Sequence, residues 1–311
     1  MAAAVPEHRI RLLATDELGV VRVSEAAGRT QLDGLAMLTR WGEPSRARRI
    51  VKCRAGEDGA GGSESGAAGS CVASGWMAVA RHDATVEVFE TASGAVLGGG
   101  GVAVGGVPVG VNLYGPAPGR EGARLITVTE GGDAIVHAAG CGSGCDAGAG
   151  FGGFGGDDRI VEEWSESVRW KATGHAAACR ASAGGAILAL GGKGIGNDLK
   201  LYDVETQAIT FKAKPPPENW LKYRAPPWVS AIQFMPGSDS KSVLLGTGEH
   251  VLRMYDIRTN KRAVLDMSVG EAVITSLAVS HDANIAFVAN AQGQLNSIDL
   301  RKVGQCRFTP G

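Results

Sequence analysis

A chain of 311 residues is long enough for one large domain or two ordinary ones and carries ample apolar material for a core. Its formal net charge of −1, from 31 basic and 32 acidic residues, gives no global nucleic-acid signature, so any contact with RNA has to come from local patches. No charged stretch with an apolar core follows Met1, which argues against a secretory signal and for a nuclear or cytosolic protein, and the six scattered cysteines then read as reduced thiols.

In chain order, the first strand-like unit is ATDELGVVRVSE (14–25), which holds a polar turn and an alternating second strand. The fifteen residues from Arg40 to Arg54 follow, with six basic residues, among them Arg46, Arg48 and Arg49, and one acid. Such density suits phosphate binding, where each neutralised phosphate releases counterions, and equally suits a solvated connection between strands. ARHDATVEVFE (80–90) and VTEGGDAIVHA (128–138) repeat the strand–turn–strand unit, and Gly-rich tracts near 55–70, 98–106 and 138–158 read as insertions. The 29 residues from Thr91 to Gly119 lack any charge, yet their glycines, Pro108 and scarcity of Leu, Ile and Phe read as loop and strand, with no membrane span. His137, Cys141 and Cys145 raise zinc, but no fourth ligand stands at a suitable spacing and no metal site is expected.

GGKGIGNDLKLYDVETQ (191–207) poses a sharper question, because glycines and a lysine ahead of a strand can cradle a phosphate. A Walker loop fails here: Ile187 stands where its first glycine belongs and Gly194 replaces the magnesium-holding hydroxyl. The segment after the glycines alternates like a strand and is no helix, so Gly191–Asn197 reads as the turn between the second and third strands of one unit, with Leu199 and Leu201 facing a neighbour. GTGEHVLRMYDIR (246–258) and ANAQGQLNSIDLR (289–301) are further copies. Their second strands place Val86 and Val88, Leu199 and Leu201, or Leu252 and Met254 on one face, whereas Leu295 and Ile298 fall out of phase.

Upstream apolar strands such as SAIQFMP (230–236) and TSLAVSH (275–281) bring each unit to four strands. The spacing is 43 residues from Tyr255 to Ile298 and 53 from Tyr202 to Tyr255, close to the roughly 40–45 of a WD-type propeller blade once an insertion is allowed. One blade alone cannot bury both faces, so blades must stack about an axis. The expected fold is therefore an all-β, WD40-type β-propeller forming a single domain over 1–311, with about six repeats visible. Phe89, Tyr202 and Tyr255 stand where the signature tryptophan usually does, and the usual upstream Gly-His occurs only at Gly174-His175. Neither G-x-S-x-G nor H-E-x-x-H occurs, so no enzyme, catalytic residue or cofactor is expected.

The order GGKGIGNDLKLYDVET, FKAKPPPENWLKYRAPPWVSAIQFMPG (211–237), TGEHVLRMYD and GQLNSIDLR (293–301) resembles the nucleolar WD-repeat assembly factor of the large (60S) ribosomal subunit. The resemblance implies seven blades and a non-enzymatic scaffold in the nucleolus that joins pre-60S particles. It also implies contact with other assembly factors and precursor rRNA, a role in pre-rRNA processing, and release with help from a hexameric AAA-ATPase. No membrane is involved. By the same resemblance Lys193 is the leading contact residue. Lys212, Lys214, Trp220, Lys222 and Arg224 surround Pro215-Pro216-Pro217, whose stiffness lowers the entropy lost when neighbouring basic and aromatic groups bind. Trp220 suits stacking on a base or anchoring in a protein pocket, and Trp228, just before a core strand, suits a structural role. Asp256-Ile257-Arg258 and Asp299-Leu300-Arg301 raise an alternative, because such pairs resemble the motif by which some WD-repeat substrate receptors dock on cullin-RING ubiquitin ligases. The same residues can instead form local ion pairs.

Overall fold

Short runs of apolar residues two apart, separated by turns rich in Gly and Asp, favour antiparallel hairpins with one buried face. The computed structural model describes residues 9–27, 36–55, 75–97, 100–114, 123–140, 163–216, 221 and 226–303, and the hairpins there assemble into six antiparallel sheets. Blade 1 comprises β1 (Arg9–Thr15), β2 (Val21–Ala27) and β3 (Ala36–Trp41). Blade 2 follows as β4 (Ile50–Ala55), β5 (Trp76–Arg81), β6 (Thr85–Glu90) and β7 (Val102–Ala103). Blade 3 contains β8 (Pro108–Tyr114), β9 (Arg124–Thr129), β10 (Asp133–Gly140) and β11 (Glu163–Lys171). Blade 4 has β12 (Ala176–Ala181), β13 (Ile187–Gly192), β14 (Lys200–Asp203) and β15 (Ile209–Lys212). In blade 5 lie β16 (Val229–Phe234), β17 (Ser242–Thr247), β18 (Val251–Asp256) and β19 (Leu265–Ser268). Blade 6 is β20 (Ile274–Val279), β21 (Ile285–Asn290) and β22 (Leu295–Asp299), followed by one helical turn, α1 (Leu300–Val303).

From blade 2 to blade 6 the first strands stand side by side: β4 against β8, β8 against β12, β12 against β16 and β16 against β20. Each breaks register after its opening residue, between Ile50 and Lys52, Pro108 and Gly110, Ala176 and Ala178, Val229 and Ala231, and Ile274 and Ser276. A bulge at one fixed place in five blades marks them as copies of a single unit. Between blades, apolar faces meet: Leu199, Leu201 and Phe211 of blade 4 pack with Val229, Ile232 and Val243 of blade 5, as the sequence pattern of Leu199 and Leu201 implies. Val21, Val23 and Trp41 do the same with Met77, Val79 and Phe89 at the blade 1–2 seam, where Trp41 stacks on Phe89 with centroids 6.0 Å apart.

Six sheets lie among the described residues, against the seven that the resemblance implies. The Gly98–Gly106 tract contains a structural strand, since β7 pairs with β6 and Val104 is fully buried. Residues 56–74 and 141–162, which hold most of the other two Gly-rich tracts, lie outside the described residues. In blade 6 the phase break has a visible outcome: Ile298 packs toward blade 5 while Leu295 is 71% exposed. Among the described residues no helix is long and apolar enough to cross a membrane, and Cys53 and Cys179 are free thiols.

Candidate binding surface

The glycine turn of blade 4 is closed by its own backbone. Gly192 N donates to Asn197 O at 2.9 Å, Asn197 N to Gly194 O at 3.2 Å, and Gly194 N to Pro227 O at 2.8 Å. With these amides engaged, the turn does not form the ring of free N–H donors that a phosphate cradle needs. Its glycines serve close approach: a Cβ on Gly192 would fall 1.7 Å from His175 O, and one on Gly191 would fall 2.6 Å from Val229. Thr173 Oγ1 donates to Asn197 Oδ1 at 2.7 Å, and Asn197 Nδ2 donates to Lys193 O at 2.8 Å, which pins the turn from both sides.

Lys193 itself is exposed, with Nζ 4.3 Å from the centroid of the Trp228 ring. A cation over an indole face gains about 0.5–1 kcal/mol at an exposed site, enough to bias its position without neutralising its charge. Trp228 is held in turn by Gly248, whose N donates to Trp228 O at 2.8 Å and whose Cβ, if present, would sit 2.0 Å from the ring. The structural role expected of Trp228 is thus joined to a second one, orienting Lys193. At the tip of the same turn, Ile195 is 93% exposed. The turn therefore presents one oriented cation and one apolar side chain on a pinned backbone.

Along the outer two strands of blade 4 runs a line of lysines. Period-2 alternation buries Phe211 and Ala213 and turns Lys212 and Lys214 outward. Lys200 of β14 pairs directly with Lys212 of β15. Like charges directly opposite on a sheet repel, so the arrangement is a local cost that an anion would relieve. Burial, followed by the charge of Lys212, lowers the Lys200 pKa against the opposing pull of Asp198. Lys214 N donates to Lys261 O at 2.7 Å, which ties this edge to blade 5. Sequence reasoning passed over Lys200, whose signal was its register opposite Lys212 in a four-strand blade. Trp220, Lys222 and Arg224 lie outside the described residues.

The N-terminal basic cluster is arranged differently. Arg46–Arg48 form a 3-10 turn between β3 and β4, with Arg46 and Arg49 exposed. Arg48, half-buried, is instead paired, with Nε donating to Asp83 at 3.2 Å and Nη2 to Glu87. Beneath it Arg81, only 1% exposed, donates from Nε to Glu87 Oε2 at 2.8 Å and from Nη1 to the carbonyls of Gly19 and Arg48 at 2.7 and 3.0 Å. Gly19, at φ +82°, lets that carbonyl approach, since a Cβ there would lie 2.4 Å from Arg48 O. Arg81 thus clasps blade 1 to blade 2.

The two Asp-x-Arg sequences adopt one geometry. Arg258 Nε and Nη2 donate to the two carboxylate oxygens of Asp256 at 3.1 and 3.0 Å, and Arg301 does the same to Asp299 at 3.0 Å for both bonds. Each guanidinium fork closes on the acid two residues before it, and the Arg258 hydrogen bonds hold the Asp256 carboxyl below the usual carboxylate range. His137 is 2% exposed in β10, where burial lowers its pKa; Cys141 and Cys145 lie outside the described residues.

Six successive sheets stacked face to face, five of them sharing a register break in their first strands, define a WD-type β-propeller. Comparison with protein-family models finds no match. Against individual proteins, a 118-residue stretch is 37% identical to WD repeat-containing protein 74 of Homo sapiens, covering 37% of this chain and 30% of that protein. The Bos taurus protein of the same name matches to the same extent, and that of Mus musculus is 35% identical over 108 residues, 34% of this chain and 28% of its own. The chain therefore matches under a third of the length of each of these relatives, and is a WD-repeat protein similar to them over that stretch.

Proposed function

We propose that this propeller is a non-enzymatic scaffold that binds large-subunit pre-ribosomal particles in the nucleolus, with the outer edge of blade 4 and its glycine turn as the contact surface. The observation that carries the reading is the Lys200–Lys212 pair, continued by Lys214, in which like charges face each other across two strands. An arrangement that repels itself when free is relieved when phosphates or acidic side chains lie against it. The resemblance of 191–301 to the nucleolar assembly factor and the similarity to WD repeat-containing protein 74 support the same reading. Protein partners among the pre-60S assembly factors would take Ile195 and the oriented Lys193 as an anchor pair, precursor rRNA would take the lysine line through its backbone, and a hexameric AAA-ATPase would drive release.

The test is affinity purification of the tagged chain from nuclear extract, with large-subunit precursor rRNA measured at low and moderate salt. Enrichment that falls smoothly with salt, as counterion release requires, is the expected result. A folded, monodisperse protein that enriches no precursor rRNA at either salt would overturn the proposal.

A further inference from the structure

In blades 2 to 5 one position of the third strand, opposite the second residue of the second strand, faces the preceding blade. Phe89, His137, Tyr202 and Tyr255 fill it. Phe89 stacks on Trp41, Tyr202 Oη donates to Ala172 O, and Tyr255 meets Phe211 edge-on with centroids 6.4 Å apart. His137 alone of the four has no such arrangement. It is 2% exposed, in phase with Ile135 of the apolar cluster shared by blades 2 and 3, and its Nε2 lacks a hydrogen-bond partner. Thr127 Oγ1 and Trp164 Nε1, buried on the same face of blade 3, lack one as well. No other seam among the described residues gathers three such atoms.

The charged groups around His137 work against its protonation. Across β10 and β11 it faces Glu166, whose two carboxylate oxygens accept from Arg169 Nε and Nη2 at 2.9 and 2.6 Å. Farther along that face Asp133 pairs with Lys171, and on blade 2 Glu90, opposite Trp76, accepts from Ser93. β8 and β9 present Val111, Leu113, Leu125 and Thr127, and β5 and β6 present Ala78, Val86 and Val88, none of them charged. A proton on this imidazole therefore places a charge among apolar strands beside a carboxylate that is already engaged. Burial lowers the His137 pKa from its ordinary 6.5; Glu166 opposes that shift and Arg169 adds to it. We propose that the seam between blades 2 and 3 is an acid-operated joint, which parts when His137 takes up a proton while the other seams stay closed. The parted seam binds that proton near the ordinary value of 6.5 and the closed seam only below it, so closure weakens as pH falls through 6.5 toward the folded value. None of these residues belongs to the blade 4 edge, so the joint and the contact surface can fail separately.

Amide hydrogen exchange of the full chain, read by peptide mass spectrometry at about pH 7.4 and 5.5 and corrected for the intrinsic pH dependence of exchange, is the test. Peptides spanning β6, β9 and β10 should lose protection about tenfold at the lower pH, since one coupled proton gives a factor of ten per pH unit, while peptides of the blade 4–5 seam should not change. His137→Phe, which repeats the side chain of Phe89, should abolish the acid effect. Arg169→Gln, a change at an exposed position, should shrink it by releasing Glu166 to the imidazolium. Where His137→Phe loses its fold by circular dichroism, the His137 ring protons of the parent are titrated by nuclear magnetic resonance instead. They should remain those of a neutral imidazole below pH 6.5 until the β9 and β10 amides lose protection. Unchanged protection at the lower pH, a loss shared by all blades, an undiminished loss in either variant, or a ring that titrates near 6.5 with the seam still protected would each overturn the proposal.

Discussion

Two basic clusters that look alike in the sequence meet opposite fates in the fold. Around Arg46–Arg49 the central arginine is paired with Asp83 and Glu87 and, with Arg81, joins blade 1 to blade 2; around Lys200–Lys214 the half-buried Lys200 faces the exposed Lys212. The difference lies in what the neighbouring blade offers. At the blade 1–2 seam Glu87 and Asp83 stand within reach of Arg48, and Glu87 together with two backbone carbonyls surrounds Arg81. At the blade 4 edge the cross-strand partner of a lysine is another lysine. Charge density along a sequence therefore does not distinguish a paired clasp from lysines that face one another at a sheet edge. The register that brings two distant segments together does.

The largest effect should come from the clasp. Arg81→Met leaves Glu87 buried with half of its cationic partners and two carbonyls without a donor, and removing one member of a buried pair costs about 3–5 kcal/mol. Urea unfolding should show that loss, and a change below about 1 kcal/mol would mean that the clasp is dispensable.

A matched pair of neutralisations sharpens the contrast further. Arg48→Gln should destabilise by about 1–2 kcal/mol through its charge-assisted bonds, whereas Lys212→Gln should stay within about 0.5 kcal/mol of the parent or gain slightly as its repulsion of Lys200 disappears. The pH dependence carries a sign of its own. Because the Lys200 pKa is lowered in the folded state, the unfolded chain binds more protons on the alkaline side, so this group makes stability rise with pH toward its ordinary value near 10.5. Lys212→Gln should flatten part of that rise, and thermal midpoints between pH 8 and 10 would reveal it.

The smallest effect belongs to the surface pairs. Arg258→Ala and Arg301→Ala each break an exposed local ion pair worth about 0–1 kcal/mol. Both variants should fold and enrich precursor rRNA as the parent does. Loss of a ligase adaptor from pull-downs of these variants, with particle binding retained, would instead favour the ubiquitin-ligase reading of the two motifs.

Much of the fold was legible in the sequence because the hairpins advertise themselves. Val86 and Val88, or Leu199 and Leu201, sit two apart beside turns of Gly and Asp, and a strand with one buried face can scarcely be written otherwise. β7 escaped notice for the opposite reason: two residues among glycines carry no period, and only pairing with β6 makes them a strand. The candidate site was less legible. Lys193 could be named from the resemblance, and Lys212 and Lys214 from their place beside the proline run at 215–217, but Lys200 gains its meaning from a cross-strand partner, and Arg81 from a carbonyl of the preceding blade.

The measurement that bears most directly on the central claim is sucrose-gradient sedimentation of the charge-reversed variant Lys193→Glu, Lys212→Glu, Lys214→Glu beside the parent chain in nuclear extract. The proposed contact surface at blade 4 requires the variant to leave the large-subunit precursor fractions for the light fractions while its circular dichroism and unfolding midpoint stay those of the parent. A folded variant that still sediments with the particles as the parent does would contradict it.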